Sequence, residues 1–117
     1  MVNRLKRNEK IELYDKGEQT REVLHVYDAC KAIELICQKG KLNQIYNVGS
    51  GEIIKIKQFI NDAKEKLQSK SNIIYLDESK LQPEVQGKNF RMDTKRLKDL
   101  EFKLNLSYKD IINDLCN

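Results

Sequence analysis

The feature that most constrains this chain is a helix that is apolar almost all the way round. Asp28 is a plausible N-cap, and the pattern after it predicts a helix to about Gln38, with Gly40 as its stop. Ala29, Cys30, Ala32, Ile33, Leu35, Ile36 and Cys37 cover most of its circumference. A helix of that kind has to be covered on two sides. At 117 residues the chain is at most one domain of ordinary size, and it can hardly supply both covers. The pattern fits a fragment whose partner surface is elsewhere, or a module that docks through helix 28–38.

The other elements are shorter. Residues 1–8 predict the remnant of a helix. Alternation from Lys10 to Tyr14 predicts a strand with Ile11 and Leu13 on one face. Asp15-Lys16-Gly17-Glu18 predicts a turn, and Thr20 to His25 a second short strand or extended segment. Gln44 to Val48 predicts a third strand, ending in Gly49-Ser50-Gly51, which is expected to make a tight turn. Lys57 to Gln68 predicts an amphipathic helix, because Ile56, Phe59, Ile60, Ala63 and Leu67 share one stripe. Asn72 to Leu76 predicts a strand, and 77–89, with Pro83, a loop. Asp93 is expected to cap a short helix bearing Leu97 and Leu100. Ser107 and Asp110 form a capping box for a last helix with Ile111, Ile112 and Leu115. The expected class is α/β, an α+β-like fragment with a small mixed sheet and about four helices, over a single domain or fragment 1–117.

Composition excludes several functions. The net charge is only +4 with 34% charged residues, and the signs are interleaved. The cluster Arg4, Lys6, Arg7 and Lys10 reads as a solvated surface rather than a nucleic-acid face, which wants clustered basic groups or interleaved aromatics. A slight positive excess suits an anionic ligand such as a nucleotide diphosphate. No apolar run approaches a bilayer span, and Met1 to Arg7 lacks the core of a signal peptide, so no membrane contact is expected. Three cysteines, Cys30, Cys37 and Cys116, make no C-x-x-C pair, and there is one histidine. No metal site is expected, and the odd count suggests the reducing cytoplasm.

Four blocks carry more specific information. The first, Gly17-Glu18-Gln19-Thr20-Arg21-Glu22-Val23-Leu24-His25-Val26-Tyr27-Asp28, packs a turn, an arginine, an apolar strand and a helix-starting acid together. It resembles the segment G-x-Q-x-R-[D/E]-(apolar)-(apolar)-[H/Y]-V-x-D of the extended short-chain dehydrogenase/reductase family. Tyr46 to Glu52 resembles that family's Y-N-[I/L/V]-G-(small)-G-x sequence. Met92 to Phe102 and Ser107 to Ile111 resemble two later blocks, in family order and at family spacing. The resemblance spans nearly the whole chain.

The resemblance implies an NAD(P)-dependent nucleotide-sugar epimerase, dehydratase or reductase, a carbohydrate-metabolism enzyme of isomerase or lyase type. It implies further that this chain is the C-terminal, sugar-nucleotide-binding portion, lacking the Rossmann cofactor half. In the family, helix 28–38 and the strand after it pack onto that half, and the arginine matching Arg21 contacts the phosphates of the nucleotide sugar. A planar guanidinium fork suits that task. Glu101 stands where the family usually has glycine, and Val23 where some members have a ligand-contacting aromatic. Pro83 to Asn89 lacks the family's frequent arginine before a glycine, so Lys88 or Arg91 is the substitute phosphate ligand expected here.

Two matches are read as decoys. Tyr27-Asp28-Ala29-Cys30-Lys31 has the Y-x-x-x-K spacing of the superfamily's catalytic pair, but no cofactor-binding segment precedes it. Gly49-Ser50-Gly51 lacks the third glycine of a dinucleotide fingerprint, since Ile54 stands there. No catalytic and no cofactor-binding residue is therefore assigned to this chain, and NAD(P) is implied only for the complete enzyme. The expected partners are a nucleotide-diphosphate sugar, the cofactor-binding half and a second copy in a homodimer. The alternative is a non-enzymatic interaction module docking through helix 28–38.

Overall fold

The computed structural model describes residues 1–77 and 91–117. The expected loop around Pro83, and Lys88, lie outside the described residues. The α/β class stands. Strands and helices follow in the order α1 (Val2–Lys6), β1 (Ile11–Tyr14), a 3-10 turn (Asp15–Gly17), β2 (Thr20–Glu22), α2 (Val26–Lys39), β3 (Ile53–Lys55), α3 (Ile56–Lys66), β4 (Ile73–Leu76), α4 (Lys95–Lys98) and α5 (Tyr108–Cys116). The expected mixed sheet consists, among the described residues, of two separate ladders. β1 pairs in parallel with β4, Ile11 opposite Ile73 and Tyr14 opposite Leu76. β2 pairs with β3, and the bonds Val23 N–H to Glu52 O (3.3 Å) and Ile56 N–H to Gln19 O (2.9 Å) make that pair antiparallel.

The chain divides into two compact units, each with its own core. The first comprises Met1–Arg21, the described part of Ile54–Phe90, and Ile112–Asn117. Its core is Leu5, Ile11, Leu13, Ile60, Ala63 and Ile112, all buried. β1 supplies the alternation that the sequence predicts: Ile11 and Leu13 point in, Glu12 and Tyr14 out. α3 presents Ile60 and Ala63, four and seven positions on from Ile56. Two buried serines finish this core. Ser69 Oγ donates to Leu5 O at 2.6 Å and lies 2.9 Å from Ser71 Oγ, so the end of α1 is tied to the turn before β4. At the tight turn after β1, Gly17 has φ +71° and its Cα faces the Lys57 side chain, a place only glycine takes without strain.

The second unit comprises Glu22–Ile53 and Arg91–Ile111. Ala32, Leu97, Thr94 and Asp28 are buried there. The expectation that Asp28 caps α2 is corrected. The helix starts two residues earlier, and the His25 Nδ1 accepts from Tyr27 N–H at 3.1 Å as the cap. Asp28 is instead a buried anchor. Its carboxylate accepts from Asn105 N–H (3.1 Å), Asn105 Nδ2 (3.0 Å) and Leu106 N–H (3.0 Å). A fully enclosed carboxylate keeps its charge only with such partners.

The strand expected at 44–48 is not formed. That stretch has no ladder partner among the described residues, and side chain–backbone bonds hold it instead. Arg96 Nη1 donates to Ile45 O at 3.0 Å, and Asn47 Nδ2 to Asp93 O at 2.9 Å. The N-cap of α4 is Thr94 rather than the expected Asp93, whose Oδ1 accepts from Lys95 N–H at 2.9 Å. Asp110 accepts from both the N–H and the hydroxyl of Ser107, at 2.8 and 2.6 Å.

Among the described residues, the outer face of α2 is apolar and uncovered. Val26, Cys30, Ile33 and Cys37 recur at helical spacing, and all four are exposed, Val26 at 71% and Ile33 at 57%. Leu35 and Ile36 are half-buried. Among the described residues no helix is long and apolar enough to cross a membrane.

Candidate functional site

Two of the three residues singled out in the sequence, Arg21 and Arg91, each line an open cleft, one in each unit. In the first unit, β1 and β2 with the residue opening α3 enclose about 300 Å³. Its walls are Met1, Glu12, Leu13, Tyr14, Gln19, Arg21 and Ile56. Arg21 is on β2, and its Nη1 donates to Thr20 O at 2.7 Å, which fixes the guanidinium against its own strand. Tyr14 is 40% exposed, so its hydroxyl can reach a ligand. Gln19 adds an amide.

Glu12 is the discordant wall residue. Lys10 Nζ sits 2.6 Å from its carboxylate, and that hydrogen bond and charge hold Glu12 below the usual carboxylate range. Lys10 thus compensates a negative charge that would otherwise oppose a bound anion. A guanidinium, a phenol and an amide around one cleft suit a phosphate or diphosphate. None of the seven lining residues is a serine, threonine, cysteine or histidine, so the cleft offers binding groups and no activated nucleophile of those types.

In the second unit a broader cleft of about 460 Å³ is lined by Arg91, Met92, Asp93, Thr94, Lys95 and Lys98. Lys95 Nζ pairs with Asp99 at 2.8 Å, one helical turn on, and the bond raises the lysine's pKa. A smaller pocket of about 150 Å³ shares Thr94 and Lys98 and adds Gly49, Ser50, Leu97, Phe102 and Leu104. Sequence reasoning did not pick out Glu12, Tyr14, Gln19, Lys95 or Lys98. The outward positions of β1 were the available signal for the first two, and Gln19 stood within the quoted segment.

The described residues do not form a dinucleotide cradle. Gly51 turns at φ +79°, but the chain then enters β3 rather than a helix, so no row of helix N-terminal amides follows the glycines. Tyr27 and Lys31 lie on consecutive turns of α2. Lys31 Nζ is 2.9 Å from Glu34 and 5.9 Å from the Tyr27 ring centre, an exposed surface arrangement. Among the described residues no group of three or more His, Cys, Asp or Glu is placed to hold a metal ion.

Residues 1–49 match the model of the NAD dependent epimerase/dehydratase family. A low-salt glycan biosynthesis protein, Agl12, of Haloferax volcanii is 32% identical over 50 residues, which is 43% of this chain and 16% of that protein. A dTDP-glucose 4,6-dehydratase of Streptomyces niveus is 35% identical over 43 residues, 37% of this chain and 13% of that enzyme.

Among solved structures, a dTDP-glucose 4,6-dehydratase from Bacillus anthracis in complex with NAD has a TM-score of 0.83 at 20% identity, over 98% of this chain and 36% of that one. A UDP-glucose 4-epimerase from Thermotoga maritima, solved with UDP-glucose, has a TM-score of 0.82 at 22% identity, over 95% of this chain and 35% of that one. The fold of nearly all of this chain is therefore a part of the fold of such enzymes, and this chain spans about a third of their length. The sequence match supports the NAD dependent epimerase/dehydratase family.

Proposed function

We propose that this chain is the C-terminal, sugar-nucleotide-binding portion of an NAD(P)-dependent nucleotide-sugar epimerase, dehydratase or reductase. Its task is to hold the nucleotide diphosphate. The hydride chemistry belongs to the cofactor-binding half, so the chain alone is catalytically incomplete. The observation that carries this reading is the placement of Arg21. The family match over residues 1–49 contains the segment Gly17 to Asp28, and its arginine stands on the wall of an open cleft with hydrogen-bonding neighbours. Arg21 is the phosphate ligand of the first unit's cleft, Arg91 that of the second unit's, and Lys88 is the other substitute ligand that the resemblance implies. The reducing cytoplasm is the compartment that suits three free cysteines.

Calorimetric titration with UDP-glucose and dTDP-glucose tests the assignment. Arg21→Ala should weaken binding about ten-fold or more, the scale of one charge-assisted hydrogen bond of about 1.5–3 kcal/mol. Lys31→Ala, on the exposed face of α2, should change it little. Equal effects of the two substitutions would contradict the role of Arg21.

A second reading is favoured by the bare outer face of α2. Val26, Cys30, Ile33 and Cys37 form an exposed apolar stripe that none of the described residues covers. In the complete enzyme the cofactor half is the partner that this face would meet. For the chain alone the partner is a second copy, or another protein for which the chain serves as an interaction module.

A further inference from the structure

Glu22 directly follows Arg21, and neither cleft includes it. Its carboxylate nevertheless joins two segments far apart in sequence. Oε1 accepts from Gly51 N–H at 2.7 Å, and Oε2 accepts from Met92 N–H at 2.8 Å. Both are charge-assisted bonds to backbone, the stronger class. One side chain therefore holds the glycine turn 49–51 and the start of the 91–98 segment in a fixed relation.

The glycines fit around this carboxylate. A Cβ built on Gly49 would fall well inside contact distance of Glu22 Oε1, so any other residue there would have to displace the carboxylate. Gly51 has φ +79°, and an added Cβ would meet Arg91 Nη2 at 3.6 Å. The acid and the two glycines are thus parts of one device, and Arg91 lies against it.

We propose that Glu22 is the positioning residue of the Arg91 cleft. It fixes the 49–51 turn against Arg91–Met92 and so presents the Arg91 guanidinium to a diphosphate. This rests on the reading of the chain as a nucleotide-diphosphate binder. Glu22 touches no ligand itself; it acts through Gly51, Met92 and Arg91. Its negative charge is occupied by two backbone amides, so it opposes a bound anion less than an unpaired carboxylate would.

The test uses Glu22→Ala, Gly49→Ala, the double substitution and Arg91→Ala, with two readouts. One is calorimetric affinity for uridine and thymidine diphosphate. The other is amide hydrogen exchange, read residue by residue. Glu22→Ala should weaken diphosphate binding as much as Arg91→Ala, about ten-fold. It should also speed exchange at Gly51 and Met92 together, while the Ile11 amide, bonded to Asn72 O, keeps its protection. Gly49→Ala should do the same by displacing the carboxylate. Added to Glu22→Ala it should do nothing further, because the atom it would strike is gone.

Exchange at Gly51 and Met92 that is unchanged in Glu22→Ala would overturn the proposal. So would Glu22→Ala binding like the wild type when Arg91→Ala has lost affinity. A full Gly49→Ala effect in the Glu22→Ala background would overturn it too. If the wild type binds neither diphosphate while the exchange pattern holds, the nucleotide reading fails, and with it the role of Glu22 in presenting Arg91; the exchange data separate that failure from the absence of the clamp.

Discussion

Asp28 shows what one residue can contribute and how its role escapes a sequence reading. An acid at the start of a helix reads as a cap, because local amides are the nearest donors. Here the donors are Asn105 and Leu106, far along the chain, and no local pattern announces them. Burial alone would push the Asp28 carboxyl up. The hydrogen bonds from Leu106 N–H and from the Asn105 side chain and N–H outweigh it and leave the pKa lowered. Because the folded pKa is the lower one, the contribution to stability is present above the unfolded value and is lost as pH falls through the folded value. Asp28→Ala leaves three donors without a partner and should destabilise the fold by about 3 kcal/mol in urea unfolding at neutral pH. Much of that difference should vanish in acid.

Glu18 is the exposed contrast. Hydrogen bonds from Lys55, at 2.7 Å, and from Lys57 hold its pKa down to about 2, from 4.5. The sign is the same: the contribution is complete above about 4.5 and disappears as pH falls toward 2. At the surface it is screened by salt. An NMR titration of the Glu18 carboxyl should give a midpoint near 2 in low salt, rising toward 4.5 in Lys55→Ala and in about 1 M salt. A midpoint near 4.5 in the low-salt wild type would mean that the ion triad does not persist in solution.

Among the elements, β1, α3 and β4 were legible because their signal is internal. Ile11 and Leu13 alternate with outward residues, and Ile60 and Ala63 share a helical stripe, so period alone identifies them. The segment 44–48 was misread for the opposite reason. Its composition is that of a strand, but a strand exists only with a ladder partner, and among the described residues it has none. β3 was missed because Ile53–Lys55 runs straight into Ile56, the first residue of α3, with no turn residue between. α2 was legible in its extent and in its apolar excess, which the structure resolves into a buried face and a bare one. The two faces should respond differently. Ile33→Glu, on the bare face, should stay within about 0.5 kcal/mol of the wild type in urea unfolding at concentrations dilute enough to keep the chain monomeric. Ala32→Leu, at a fully buried position, should cost about 1–3 kcal/mol by overpacking. Equal costs under those dilute conditions would show that this face is covered within the chain itself.

For the whole molecule, the family resemblance that the match over residues 1–49 supports was legible in the block Gly17 to Asp28, and the clefts were not. Arg21 and Arg91 stood out as fork-shaped cations, but which side chains share their walls depends on contacts made across the fold. The bare face of α2 sits in the same unit as Leu42, 93% exposed, and Ile45, 78% exposed. The helix stripe by itself is small beside the roughly 800 Å² per partner of a stable interface, so Leu42 and Ile45 have to join it. On that basis the isolated chain should form a two-fold dimer. Sedimentation equilibrium at micromolar concentration should show a dimer for the wild type and a monomer for Ile33→Glu; a monomeric wild type would contradict the self-association.

The central claim is that this chain binds the nucleotide sugar and leaves the dinucleotide to another part of the enzyme. The most direct measurement is an amide NMR titration of the wild-type chain, with UDP-glucose and dTDP-glucose in one series and NAD in the other. The account predicts saturable shifts for at least one sugar nucleotide at Gln19 and Arg21, abolished at Gln19 in Arg21→Ala, and no saturable shift with NAD. Saturable shifts with NAD at micromolar concentration, or no response to either sugar nucleotide, would contradict it.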